Sequence, residues 1–213
     1  LITFICISNL NNNSTILLGE NESGKVTLEG PYGNPNSTNK IAVIIGVHPL
    51  EFKSHQSLLK YIKKYSNSLN SSYYVYIVDV TKNNEDFDKS RDNGQLLAQK
   101  FVVPDIMKKN YSITIDFHGH RAFYVEDNFI ISPLNDNKST EIAKDIVKNI
   151  NGFELLNFVP ATDDHPTSPE YVSIPILKSG IPSLIYETNI YQSQTIIDKF
   201  MLQFILNLDK INF

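Results

Sequence analysis

The sequence predicts a three-layer α/β/α domain, a largely parallel central sheet with helices on both faces. Two observations predict it. Apolar, β-branched runs recur at 40–47 ("KIAVIIGV"), 73–80 ("YYVYIVDV"), 111–118 ("YSITIDFH") and 182–188 ("PSLIYET"). Runs of this kind, with little polar alternation, mark strands buried on both faces. Between them lie segments whose apolar residues fall at helical spacing, and strands alternating with helices argue for a parallel sheet.

The elements follow in order. Residues 1–8, "LITFICIS", read either as the tail of an export leader or as a first strand. Residues 9–40 are rich in Asn, Ser and Gly, with "EGPYGNPNSTNK" at 29–40 as the clearest loop. Residues 1–39 are therefore expected to form an N-terminal arm with short strands, and 40–213 the α/β domain. A helix is expected over 53–66, where Leu58, Leu59, Ile62 and Tyr65 share a face. Residues 90–109 read as helical with a break at Pro104. A short strand is expected near 128–132, and a helix over 138–150 with Ile142, Ile146 and Ile150 on one face. "PATDDHPTSP" (160–169) reads as a loop and 170–179 as a helix. Residues 193–208 form an amphipathic helix through Ile197, Phe200, Met201, Phe204 and Leu208.

Composition narrows the function classes. With 41% hydrophobic residues over 213 positions, the chain can bury a sizeable core. A net charge of −4 gives no basic face for nucleic acid. No apolar run reaches the roughly 18–20 residues that a membrane span needs. Cys6 is alone, which excludes an intrachain disulfide and a cysteine metal site, so any metal must be held by His, Asp and Glu. Asn13, Asn36, Asn70 and Asn110 open N-x-Ser/Thr sequons, as chance allows in so Asn-rich a chain. Oligomeric state leaves no mark on the sequence. Arginine occurs only as Arg91 and Arg121. A chain that solvates itself with Lys can keep Arg where a planar, two-pronged donor is needed.

Sites in such sheets gather beyond the carboxyl ends of the strands. The first strand ends in His48 and Glu51, the third in His118 and the last in Glu187. Two histidines and a carboxylate are a common ligand set for a catalytic zinc, which keeps a further position open. Pro49 favours an extended His48 and a turn that returns Glu51 beside it. Asp116 lies two residues before His118 on the same strand face and can orient its imidazole. Glu187 is then free to act as general base. His120 competes with His118 as ligand but lies further from the strand. His55 reads as structural, and His165 sits in the polar loop.

This order, strand-"GVHPLE", an arginine, strand-"DFH", strand-"YET", resembles the zinc carboxypeptidases of the carboxypeptidase A type. It resembles equally their relatives, the succinylglutamate desuccinylase and aspartoacylase group. The resemblance covers residues 40–210 and implies a mixed sheet between helices, His48, Glu51 and His118 as ligands of one Zn2+ per chain, and Glu187 as base. It also implies that Arg91 polarises the scissile carbonyl. The chain lacks the Asn-Arg dipeptide with which the family grips a terminal carboxylate; Arg121 is the substitute, with Asn93 and Tyr171 as further substrate contacts. The implied activity is amide hydrolysis of a peptide, a cell-wall peptide if the protein is exported. N-acyl amino acid deacylation is the alternative, and the substrate in both has a free carboxylate. The rival from another class is a non-catalytic surface binding module on the same fold.

Overall fold

The structure is a computed structural model in which residues 14–158 and 167–213 are described. Strands β1 (Ser14–Asn21) and β2 (Gly24–Gly33) form an antiparallel hairpin. Strand β3 (Lys40–Ile45) leads into helix α1 (Phe52–Tyr65), and β4 (Ser72–Val80) into α2 (Phe87–Leu97). A wide helical turn at Ala98–Val102 and the short α3 (Val103–Ile106) precede β5 (Ile113–Phe117) and β6 (Asn128–Pro133). Then come α4 (Asn137–Val147), β7 (Glu154–Phe158), α5 (Ser168–Tyr171), α6 (Ser173–Lys178), β8 (Ser183–Thr188) and α7 (Gln194–Leu208).

The eight strands among the described residues share one sheet in the order β1-β2-β4-β3-β5-β8-β6-β7. The centre, β4-β3-β5-β8, is parallel. Strand β2 runs antiparallel to β4, and β6 antiparallel to β8. The sheet is mixed and mostly parallel. The alternation along β3 divides the core in two. Ile41, Val43 and Ile45 face α1, α4 and α7 through Leu58, Ile62, Ile146, Phe204 and Leu208. Ala42 and Ile44 face α2, α3 and α6 through Leu97, Ile106 and Ile176. Phe117 stacks on Tyr186 at 5.0 Å, with Phe204 edge-on to both at 5.7 and 5.1 Å, and this aromatic knot fixes the ends of β5 and β8 beside each other. No described helix is long and apolar enough to cross a membrane.

Several expectations are corrected in detail. The helix expected at 90–109 begins at Phe87, because Asp86 accepts a hydrogen bond from Lys89 N and caps it. It loosens at Ala98–Val102 rather than at Pro104, which sits in the first turn of α3, where its missing N–H costs nothing. The loop expected from residue 29 is strand as far as Gly33. Strand β7 was not anticipated. Residues 1–8, Cys6, Asn13, His165 and most of the 160–169 loop lie outside the described residues.

Candidate metal centre

The chain runs β3 to β4 on one side and returns to β5 on the other side of β3. The crevice between β3 and β5 is therefore where the strand order reverses, the usual place for a site in such a sheet. Gly46 turns the chain at the end of β3 with φ +84°, and a Cβ there would lie 2.1 Å from the Val78 carbonyl oxygen. His48 is extended, at φ −118° and ψ 98°, as a residue before proline should be. Pro49–Glu51 then form one 3₁₀ turn, closed by Glu51 N donating to His48 O at 3.1 Å. That turn carries Glu51 back beside the imidazole.

The three donors converge. His48 Nδ1 is 3.0 Å from Glu51 Oε1. His118 Nδ1 is 3.0 Å from Glu51 Oε2 and 2.9 Å from His48 Nδ1. All three residues are buried, and they form the group of potential metal ligands found among the described residues. Two imidazole nitrogens do not approach each other with their lone-pair edges unless a proton or a cation lies between. A triangle of this size suits metal–nitrogen and metal–oxygen bonds of about 2.0–2.2 Å, and the donor set is one that zinc takes. The fit to a zinc ion is good.

Neighbouring groups hold the triangle. Gly119 N donates to Glu51 Oε2 at 2.9 Å, and Arg91 Nη1 donates to Glu51 Oε1 at 2.6 Å. Asp116 Oδ2 stands 3.0 Å from His118 Nε2, at ion-pair distance, with Ser168 Oγ 3.3 Å from the same nitrogen. Gln95 Nε2 lies 3.1 Å from His48 Nε2.

Burial pushes the His48 imidazole down to about 4. Burial also works against charge on Glu51 and His118, and their neighbours overcome it. His48 and His118 hold Glu51 well below the ordinary carboxylate value, and Asp116 and Glu51 hold His118 well above the ordinary imidazole value. These directions favour a proton held between His118 and Glu51, beside a neutral His48. A divalent cation competes with that proton for the same lone pairs.

Two cavities flank the triangle and meet at Arg91, Tyr124 and Glu187. One, of about 190 Å³, is lined by Glu51, Phe87, His120 and Arg121 among others. The second, of about 150 Å³, reaches His48, His118 and Ser168. Glu187 Oε2 is buried without a hydrogen-bond partner among the described residues, and burial pushes this carboxyl up to about 8. Arg121 stacks on Phe87, its guanidinium carbon 3.8 Å from the ring centre, with no carboxylate partner among the described residues.

The expected site residues do not all meet. His48, Glu51, His118, Arg91, Arg121 and Glu187 surround the cavities. Asn93 does not line them: it accepts from Ser23 Oγ at 3.1 Å and donates to Lys82 O at 2.9 Å. Tyr171 packs against the core on the α2 side. His120 turns its Nε2 to Asp127 O at 3.2 Å and packs between Tyr124 and Phe129. His55 Nε2 stands 3.0 Å from Phe117 O, as a structural histidine would. Sequence reasoning missed Gln95, Ser168 and Tyr124. Only Gln95 left a signal, its i, i+4 spacing from Arg91 on one helix.

No protein-family model and no curated protein matches this chain. Solved structures do. The metallo-carboxypeptidase from Burkholderia cenocepacia matches with a TM-score of 0.61 and 12% identity, covering 94% of this chain and 65% of that one. A metallo-carboxypeptidase from Pseudomonas aeruginosa, in complex with (2-guanidinoethylmercapto)succinic acid, matches at 0.56 and 11%, covering 87% and 60%. The tripeptide-bound cell shape determinant Csd4 from Helicobacter pylori matches at 0.54 and 12%, covering 92% and 54%. The chain spans less than two thirds of the length of each of these. The likeness establishes the fold: this chain folds as the metallo-carboxypeptidases do.

Proposed function

We propose that the chain is a zinc-dependent amide hydrolase acting on peptides that carry a free carboxylate. The observation that carries this reading is the convergence of His48 Nδ1, His118 Nδ1 and the Glu51 carboxylate, pairwise 2.9–3.0 Å apart, at the strand-order reversal. His48, Glu51 and His118 would hold the ion. Zinc bound there supplies Lewis acidity, making water nucleophilic near neutral pH and polarising a carbonyl.

The chain's own residues supply the rest. Glu187 takes a proton from the attacking water and delivers it to the leaving amine nitrogen. Its high pKa reflects burial, and a cation beside it favours the ionised form that a base requires. Arg91 holds Glu51 through Nη1 and lines the cavity, and its remaining donors serve the developing oxyanion. Arg121, a half-buried cation without a carboxylate partner among the described residues, receives the substrate carboxylate.

The test joins metal content to a substrate panel. Protein purified without added metal should contain close to one zinc per chain and cleave short peptides, including muropeptides, in preference to N-acyl amino acids. Amidating the substrate carboxylate should raise KM, and Arg121→Met should abolish the difference between free and amidated forms. Preferred turnover of the acyl amino acids would move the assignment to a deacylase. Absence of both bound zinc and turnover would leave a binding module.

A further inference from the structure

Helix α2 grips the metal motif from behind. Arg91 and Gln95, one turn apart on a shared face, reach Glu51 and His48 respectively. Gly94 between them lets the helix lie against the chain just before His48, since a Cβ there would stand 1.9 Å from the Val47 carbonyl oxygen. Gln95 is 6% exposed, and its contact with His48 Nε2 is the one hydrogen bond that this nitrogen makes among the described residues.

The chemistry of that contact depends on which nitrogen of His48 carries the proton. Nδ1 faces the other donors, so a cation there forces the proton onto Nε2, which then needs an acceptor. Without a cation, Nδ1–H can donate to Glu51 Oε1, 3.0 Å away, and Nε2 needs a donor. A side-chain amide meets both needs by a half-turn that exchanges its NH2 for its carbonyl oxygen. The orientation in the structure, with the amide nitrogen toward Nε2, is the one for the second case. The other imidazole differs: His118 Nε2 faces the carboxylate of Asp116, which only accepts when ionised.

We propose that Gln95 is a positioning residue that holds His48 in line for the metal in either tautomer, and that it sets the metal affinity of this ligand. The inference rests on the zinc reading above. Replacing the amide by a carboxylate keeps the shape but serves only the Nε2–H tautomer, the one that binds metal. Replacing it by an alkyl group serves neither.

The experiment measures zinc dissociation constants by competition with a chromophoric chelator for wild type, Gln95→Leu and Gln95→Glu. Gln95→Leu should bind zinc about 10–100-fold more weakly, the usual effect of losing a ligand's hydrogen-bond partner. Gln95→Glu should bind more tightly than wild type. Shifts in opposite directions are what a merely structural role would not produce. Wild-type affinity in Gln95→Leu, or equal weakening in both variants, overturns the proposal. If Gln95→Leu does not fold, the comparison of Gln95→Glu with wild type decides: tighter binding supports the proposal, and equal or weaker binding overturns it. A wild type that binds no zinc removes the zinc reading and this inference together, whereas a zinc-binding wild type with indifferent variants removes this inference alone.

Discussion

His55 shows how one buried residue couples the fold to pH. Burial pushes its imidazole down to about 4, so the folded protein keeps it neutral while its Nε2 contacts the Phe117 carbonyl. An unfolded chain protonates the same group near pH 6.5. The unfolded state therefore binds more protons between these values, and stability falls as pH drops through that window. From this group alone the loss between pH 7 and pH 5 should be about 2 kcal/mol. Urea unfolding at the two pH values should show His55→Gln losing about 2 kcal/mol less than wild type; identical pH dependence in both would contradict the assignment. At this scale legibility depended on position along a strand. That His48 and His118 meet, and that Glu187 lines the neighbouring cavity, was readable because each ends an apolar run. Gln95 and Tyr124 were not, because their contacts cross the fold and no local pattern requires them. Asn93, expected among the substrate contacts, instead joins the turn after β1 to Lys82.

At the scale of elements, helix α2 carries the sharpest conflict between local preference and packing. Alanine is favoured over glycine inside a helix by about 1 kcal/mol, so propensity alone predicts that Gly94→Ala stabilises. The Cβ would stand 1.9 Å from Val47 O, however, and backbone cannot yield as a side-chain tip can. Overpacking of this kind costs about 1–3 kcal/mol. The expected outcome is a lower denaturant midpoint together with weaker zinc binding, since α2 must move away from His48 and Glu51. A midpoint at or above wild type would show that α2 does not need to lie so close. The end of β2 and the whole of β7 were not legible in the sequence for a related reason. β2 buries Val26 and Leu28 on the α2 side of the sheet and, past a register shift, Tyr32 on the other side, but Gly30, Pro31 and Gly33 read locally as turn. Pairing with β4 overrides that signal. β7 is short, only partly buried and at the sheet edge, so no buried apolar run announces it. The central strands were legible because burial on both faces leaves them almost no polar residues.

On the scale of the molecule, the parallel core explains why residues 70 positions apart can meet. β3 and β5 run side by side in the same direction, so His48 and His118 leave the same edge together. β8 adds Glu187 to that edge, and α2 closes it with Arg91 and Gln95. Under the proposed function, this edge hydrolyses amides with Glu187 as its base. The most direct measurement is single-turnover cleavage of a short peptide by Glu187→Gln and wild type, with zinc content determined on the same preparations. The variant should keep full zinc and its fold and cleave at a rate lower by about 100-fold or more, the scale of general acid–base catalysis. Zinc retained with a wild-type rate would contradict it and remove Glu187 from the mechanism; zinc lost would make Glu187 a ligand instead.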